Sequence, residues 1–148
     1  QEVDLSKIVK DVLDLNNRVE SDSIVFKSKI ESNLWVLADK EQMIRITQNM
    51  IKNAKQAIKT IDKKGVISIE VDSVDTSMIK VSIVDNGPGI PKEIRSKIFN
   101  PNFTTKTSGK GLGLAMCKKI IEQHKGEIGF SSNENETKFW FSIPTKEI

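Results

Sequence analysis

Asp85-Asn86-Gly87-Pro88-Gly89-Ile90 closes an apolar run, Met78, Ile79, Val81, Ile83 and Val84, and leads into a polar segment that opens on Pro91. The run is a predicted strand. Asp85 therefore stands at a strand end, held by backbone, while Gly87 and Gly89 release the chain from ordinary φ limits. A flat ligand can lie against such a backbone. A carboxylate buried there needs a donor, and an exocyclic amine supplies one without a counter-charge. Read alone, the hexapeptide is equally ordinary strand-to-helix turn chemistry.

The chain has 148 residues, the length of a single domain (1–148) with one core. No apolar run approaches the ~20 residues of a membrane span, and the amino terminus has no signal-like pattern. A soluble, cytoplasmic piece without membrane contact is expected, and anchoring of a longer protein is left open. The net charge is +3, from 23 basic and 20 acidic residues interspersed, and aromatics are few. That pattern argues against a nucleic-acid groove. The single Cys117 cannot form an internal disulfide and has no second Cys or His at metal-ligand spacing. The sequence starts at Gln1 as if cut from something longer, so a fragment is expected.

Leu5, Ile8, Val9, Val12, Leu13 and Leu15 recur at helical spacing behind Asp4, a candidate N-cap, which predicts a helix ending near Asn16-Asn17. Strands are predicted over 24–30 and 34–37, with a turn at Glu31-Ser32-Asn33 between them. Asp39, with Gln42 as capping-box partner, opens the best-marked helix, which runs to about Thr60 on an apolar stripe of Met43, Ile46, Met50, Ala54 and Ile58. Asn49 and Asn53 project from one side of it. Asparagine is a mediocre helix former, so two in mid-helix are either a solvated face or a ligand site. A carboxamide oxygen binds Mg²⁺ without cancelling the charge that the metal must bring to phosphates.

Strands over 66–74 and 78–84 form a predicted hairpin around Asp75-Thr76-Ser77 that delivers the chain to Asp85. Pro91 suits the first position of a short helix through Ile98. From Phe99 to Gly111 neither period appears, and a loop of this length in a compact domain is commonly a lid. A helix through Gln123 follows, with Leu114, Cys117 or Lys118, and Ile121 on its inner face. Gly109, Gly111 and Gly113 at its start leave amide donors open to an anion. The spacing is neither a Walker A loop nor a Rossmann fingerprint. Strands over 127–131 and 137–143, joined at Asn133-Glu134-Asn135, close the chain.

In this order, an Asn-bearing helix, the Asp85–Ile90 turn, a Phe-Thr-Thr-Lys loop at 103–106 and Gly-Lys-Gly-Leu-Gly-Leu at 109–114, the sequence resembles the catalytic ATP-binding domain of two-component sensor histidine kinases. These belong to the gyrase, Hsp90, histidine kinase and MutL superfamily. The nitrogen-regulation-type branch is most similar, from Asn-Ala-x-x-Ala at 53–57 and the Phe-Thr-Thr-Lys loop. The resemblance covers nearly the whole chain. It implies an α+β fold, a two-layer α/β sandwich (the Bergerat ATP-binding fold) with one mixed, mostly antiparallel sheet on three helices and an ATP lid.

The resemblance implies ATP and Mg²⁺ as ligands. Asn53 matches the Mg²⁺-binding asparagine, with Asn49 beside it on the phosphate side, and Asp85 matches the adenine-reading aspartate. Gly87, Gly89 and Ile90 fall in the first glycine box, and Phe99 and Phe103 match aromatic anchors of the lid, which includes Thr104 and Thr105. Gly109, Gly111, Leu112 and Gly113 belong to the second glycine box, and Thr137 matches a threonine supporting the adenine contact. Catalytic work is expected of Asn49, Asn53, Lys106 and Lys110, the lysines as phosphate partners or simply as solvated lid residues. Two positions depart from the family: Gln56 stands where Lys is common, and Asn102 where an aromatic is common.

The superfamily contains several chemistries. Its hydrolytic branches and its anti-sigma serine kinases carry Glu four residues before the metal-binding Asn. Here that residue is Asn49, and an amide cannot serve as a general base. A histidine acceptor needs less activation, so the expected reaction is γ-phosphate transfer to a histidine on a separate helical dimerisation and phospho-acceptor domain, with a response regulator downstream. The one histidine present, His124, lacks an acidic neighbour and suits a structural role at a helix end. The alternative is a non-kinase ATP-binding module whose lid closure controls a protein partner.

Overall fold

A computed structural model describes residues 1–19, 24–59, 61–100 and 110–145. In chain order the elements are β1 (Glu2–Asp4), α1 (Leu5–Val19), β2 (Ile24–Ile30), β3 (Trp35–Leu37), α2 (Lys40–Ile58), β4 (Gly65–Ser73), β5 (Met78–Asp85), a 3₁₀ helix (Lys92–Lys97), α3 (Lys110–Gln123), β6 (Glu127–Ser132) and β7 (Thr137–Pro144). Five strands form one sheet in the order β2-β4-β5-β7-β6, with β2 parallel to β4 and the other pairs antiparallel. The expected two-layer sandwich is present: α2 packs across β4 and β5, α3 on β6 and β7, and α1 lies against α2.

Strand alternation builds the core. Ile79, Val81 and Ile83 of β5 are buried, and so are their register partners Phe139, Phe141 and Ile143 of β7 and Ile69 and Val71 of β4. Because successive side chains alternate faces, the same parity carries Asp85 and Thr137 onto the helix-covered side. These two are partners in register, with Ile67 beside Asp85 and Ser132 beside Thr137. The apolar ladder thus ends in a polar rung.

The hairpin turn that fixes this register is held by the Asp75 carboxylate. It accepts hydrogen bonds from Ser77 N (2.7 Å), Ser77 Oγ (2.7 Å) and Met78 N (3.1 Å). The bond from the Ser77 hydroxyl, chiefly, holds its carboxyl below the usual carboxylate range.

The structure differs from the sequence reading in several places. β1 was not expected, and β3 pairs with it rather than with β2, by an antiparallel register that joins chain segments more than thirty residues apart. Three-residue strands carry almost no periodicity. Asp4 does accept from Lys7 N (3.2 Å) at the start of α1, but the helix continues to Val19, and Leu15 on its flank is 52% exposed. The segment after Pro91 is a 3₁₀ helix, with Pro91 as its cap rather than its first residue. α3 starts at Lys110, earlier than expected, so Gly111 and Gly113 lie inside its first turn. Thr60 and the loop residues 101–109 lie outside the described residues.

Of the two options for the inner face of α3, Cys117 is buried and Lys118 exposed. Burial pushes the Cys117 thiol up to about 12. The thiolate is the reactive form. The native chain should resist a thiol reagent at pH 8 and react fully in denaturant, as absorbance of the released chromophore would record. Since the unfolded thiol ionises near 9 and the native one near 12, stability should fall as pH rises through that interval.

Candidate functional site

Between the polar end of the sheet, α2 and the segment after β5 lies a cavity of about 130 Å³ lined by Asn53, Ala57, Asp85, Gly89, Ile90, Pro91, Ile94, Ile98, Leu114, Thr137 and Phe139. Drug-sized ligands occupy pockets of roughly 300–1,000 Å³, so this one suits a single flat ring system. Its walls are mostly aliphatic, with polar groups at two places. Asp85 and Thr137, each 3% exposed, come from adjacent strand ends, and Asn53 comes from α2.

Asp85 Oδ1 accepts the Gly87 N–H at 2.9 Å. This bond folds the chain back at the strand end, and a Cβ on Gly87 would crowd Ala57 of α2. Asn86 plays a structural part: its Oδ1 accepts from Val66 N (2.8 Å) and its Nδ2 donates to the Lys64 carbonyl (3.0 Å), which extends the β4–β5 ladder by one side chain. Gly89 has φ +84°, and a Cβ there would run into the Asn133 carbonyl. The Ile90 N–H donates to Ser132 Oγ at 2.7 Å, and the Ile90 carbonyl accepts from Arg95 Nε at 2.9 Å. The pocket wall is thereby tied to the β6–β7 hairpin on one side and to the 3₁₀ helix on the other.

α2 is set by its apolar stripe, with Met43, Ile46, Met50, Ala54 and Ile58 buried as expected. Asp39 caps it by accepting from Gln42 N (3.1 Å), and the Asp39 N–H donates to His124 Nε2 (3.3 Å). His124 Nδ1 lies 2.8 Å from the Ile120 carbonyl, so Nδ1 carries the proton and Nε2 accepts. The histidine joins the end of α3 to the cap of α2.

Asn53 lines the cavity and its Nδ2 is buried without a hydrogen-bond partner, as is Gln56 Oε1 one turn on. An orphaned buried donor costs about 1–3 kcal/mol. Amide nitrogen and oxygen exchange places by a half-turn of the terminal torsion, so the same site can present Oδ1 to a cation. Among the described residues no group of three or more His, Cys, Asp or Glu could hold a metal. The chemistry of an amide oxygen so turned would suit Mg²⁺, with Asn53 as one ligand and oxygens of a substrate and water as the rest.

Asn49, one turn before, donates from Nδ2 to the Arg45 carbonyl (3.1 Å), and its Oδ1 would stand 3.2 Å from a Cβ on Gly113. Gly113 lets α3 approach α2 at this level. The first four N–H groups of a helix lack intrahelical acceptors, and with α3 starting at Lys110 these are the amides of Lys110, Gly111, Leu112 and Gly113. Phe99 packs on Phe130, with ring centroids 6.0 Å apart, and Phe130 on Phe139 at 5.9 Å, so Phe99 stands behind the pocket wall. Asn102, Phe103, Thr104, Thr105, Lys106 and Gly109 lie outside the described residues, as do the side chains of Lys110 and Leu112.

Ala57, Ile94, Ile98, Leu114, Phe139 and Ser132 were not singled out as site residues by sequence reasoning. Ile94 and Ile98 are one helical turn apart after Pro91, and Phe139 follows Thr137 on the same strand face, so both signals were available. Ser132 lies one residue past the expected strand end and before the expected turn, so neither element claimed it.

The architecture and pocket define a two-layer sandwich of the Bergerat ATP-binding class. Residues 38–147 match the family described as histidine kinase-, DNA gyrase B-, and HSP90-like ATPase, and the chain belongs to that family. It is 38% identical over 134 residues, 89% of its length, to the signal transduction histidine-protein kinase AtoS of Escherichia coli. It is 37% identical over 120 residues, 74% of its length, to the sensory histidine kinase/phosphatase NtrB of Azospirillum brasilense. It spans 22% of the first relative and 30% of the second. The solved catalytic domain of histidine kinase ThkA superposes with a TM-score of 0.82 at 36% identity, covering 97% of this chain and 94% of that one.

Gly89→Ala would force a side chain onto a positive φ and into the Asn133 carbonyl. It should destabilise the chain by more than about 1 kcal/mol, a fall in Tm of at least roughly 2–4 °C by calorimetry, whereas Ala at the exposed Pro88 should not.

Proposed function

We propose that the chain is the catalytic ATP-binding domain, 1–148, of a sensor histidine kinase, binding ATP with Mg²⁺ and giving the γ-phosphate to a histidine on a separate helical domain. The observation that carries this reading is the placement of a base-sized pocket floored by buried Asp85 directly beside the unpartnered amide of Asn53. Asp85 accepts the exocyclic amine of adenine. The ribose and phosphates then run along α2 past Asn53 and Asn49 towards the open amides at the start of α3. When bound, Mg²⁺ offsets phosphate charge.

The chain's own residues bind and orient. Asn49 occupies the position of a general base without being able to take a proton, which supports transfer to an imidazole, whose lone pair needs no activation. Both nitrogens of His124 are engaged within the domain, which supports an acceptor on another domain. ThkA has been solved in complex with the response regulator TrrA, and that supports a response regulator as the downstream partner of this chain. Lys106 and Lys110 remain proposed phosphate partners. Among the described residues no helix is long and apolar enough to cross a membrane.

Calorimetry with a non-hydrolysable ATP analogue tests the reading. Asp85→Asn should weaken binding roughly 10- to 100-fold, the cost of losing a hydrogen bond to a charged group. Asn53→Ala should bind equally with and without Mg²⁺. A folded, unaltered chain that takes up no adenine nucleotide would sink the proposal. Phosphate transfer to an added acceptor domain, lost on Asn53→Ala, would separate the kinase from the lid-controlled binding module.

A further inference from the structure

We propose that Ser132, which does not line the cavity, is a positioning residue that fixes which way the Thr137 hydroxyl points and thereby what the polar rung can read. This rests on the nucleotide reading above. The rung runs Ile67, Asp85, Thr137, Ser132 across four strands, so Ser132 is the next residue in register beyond the pocket. Its Oγ has three polar neighbours: Ile90 N at 2.7 Å, Thr137 Oγ1 at 3.1 Å and the Glu136 carbonyl at 3.4 Å.

A serine hydroxyl has one proton and two lone pairs. The Ile90 N–H occupies one lone pair through the shortest of the three contacts. The Ser132 proton then goes either to Thr137 Oγ1 or to the Glu136 carbonyl. Hydroxyl bonds centre near 2.7–2.8 Å and weaken with length, so the 3.1 Å partner takes the proton in preference to the one at 3.4 Å. Thr137 receives that bond and keeps its own proton for the cavity it lines. Were the Ser132 proton on Glu136, Thr137 would donate to Ser132 and show the cavity lone pairs only.

The rung therefore presents an acceptor, Asp85, next to a donor, Thr137. Its complement is an amine beside a bare ring nitrogen, the 6-amino and N1 edge of adenine. The 6-oxo and N1–H edge of guanine has the reverse polarity. Ser132 also anchors the Gly89–Ile90 wall through the Ile90 N–H, so one hydroxyl sets both the wall and the polarity.

The test compares a non-hydrolysable ATP analogue with its 1-deaza counterpart, in which N1 is replaced by C–H. The unaltered chain should prefer the first by about three- to tenfold, the value of one neutral hydrogen bond. Ser132→Ala leaves the Thr137 hydroxyl free to rotate and should lower that preference, and Ser132→Thr, which keeps the hydroxyl, should restore it. A purely structural role would weaken both analogues alike, and an unchanged preference in Ser132→Ala would overturn the inference while leaving the nucleotide reading intact. Equal binding of the two analogues by the unaltered chain overturns it whether or not any variant folds. Binding of neither removes the nucleotide reading first and the inference with it.

Discussion

A carboxylate at the end of an apolar ladder is the constraint on which the molecule depends. Asp85 shares its strand face with Ile79, Val81 and Ile83, so the alternation that buries the core also buries the acid. A register slip of one residue would put Asp85 on the opposite face and a polar rung nowhere. Register is set at the far end of the same hairpin, where the Asp75 carboxylate takes three donors from Ser77 and Met78. An exposed turn thus decides the position of a buried acid on the last residue of β5. Burial of a charge is unfavourable unless it is bonded, and the Gly87 N–H meets part of that cost.

α2 serves two faces at once. Its buried stripe fixes the rotation of the helix about its axis, and that rotation places Asn53 and Ala57, one turn apart, on the cavity. Its position along the axis is set at the cap, where Asp39 is held by Gln42 N on the inside and by His124, just past the end of α3. The two helices that flank the proposed phosphate path are therefore coupled at the ends remote from it. Nearer the path, Gly113 against Asn49 lets them close up. The orphaned atoms of Asn53 and Gln56 both lie on α2, which supports the proposed ligand surface there.

What could be read from the sequence was whatever rests on period and local turn chemistry. The stripe of α2, the cap at Asp39, the hairpin through Asp75 and the placement of Asp85 at a strand end are all local signals, and each is found. Pairing between distant segments was not legible. Nothing in Glu2-Val3-Asp4 announces a strand until Trp35-Val36-Leu37 lies beside it, and the parallel partnership of β2 with β4 joins segments separated by the whole of α2. Leu15 misled because an isolated apolar residue one position off the stripe looks like part of it. Ser132 was hidden for a finer reason. Its role depends on the four residues between β6 and β7 placing it opposite Thr137, and the turn signal at Asn133–Asn135 does not fix the last paired residue.

The chemistry at position 49 follows from the same local geometry. The Asn49 amide gives a proton to the carbonyl of Arg45 one turn back, and its oxygen faces the α3 backbone at Gly113. A carboxylate of the same shape would have no proton to give and would set its charge against that carbonyl. The amide is therefore matched to its surroundings as an orienting group. On the proposed kinase reading, such a site would favour acceptors that bring their own nucleophilic lone pair over water, which needs a base. On the same reading, that one side chain and the helix turn that receives its proton separate transfer to a histidine from the hydrolytic and serine-phosphorylating chemistries of this fold.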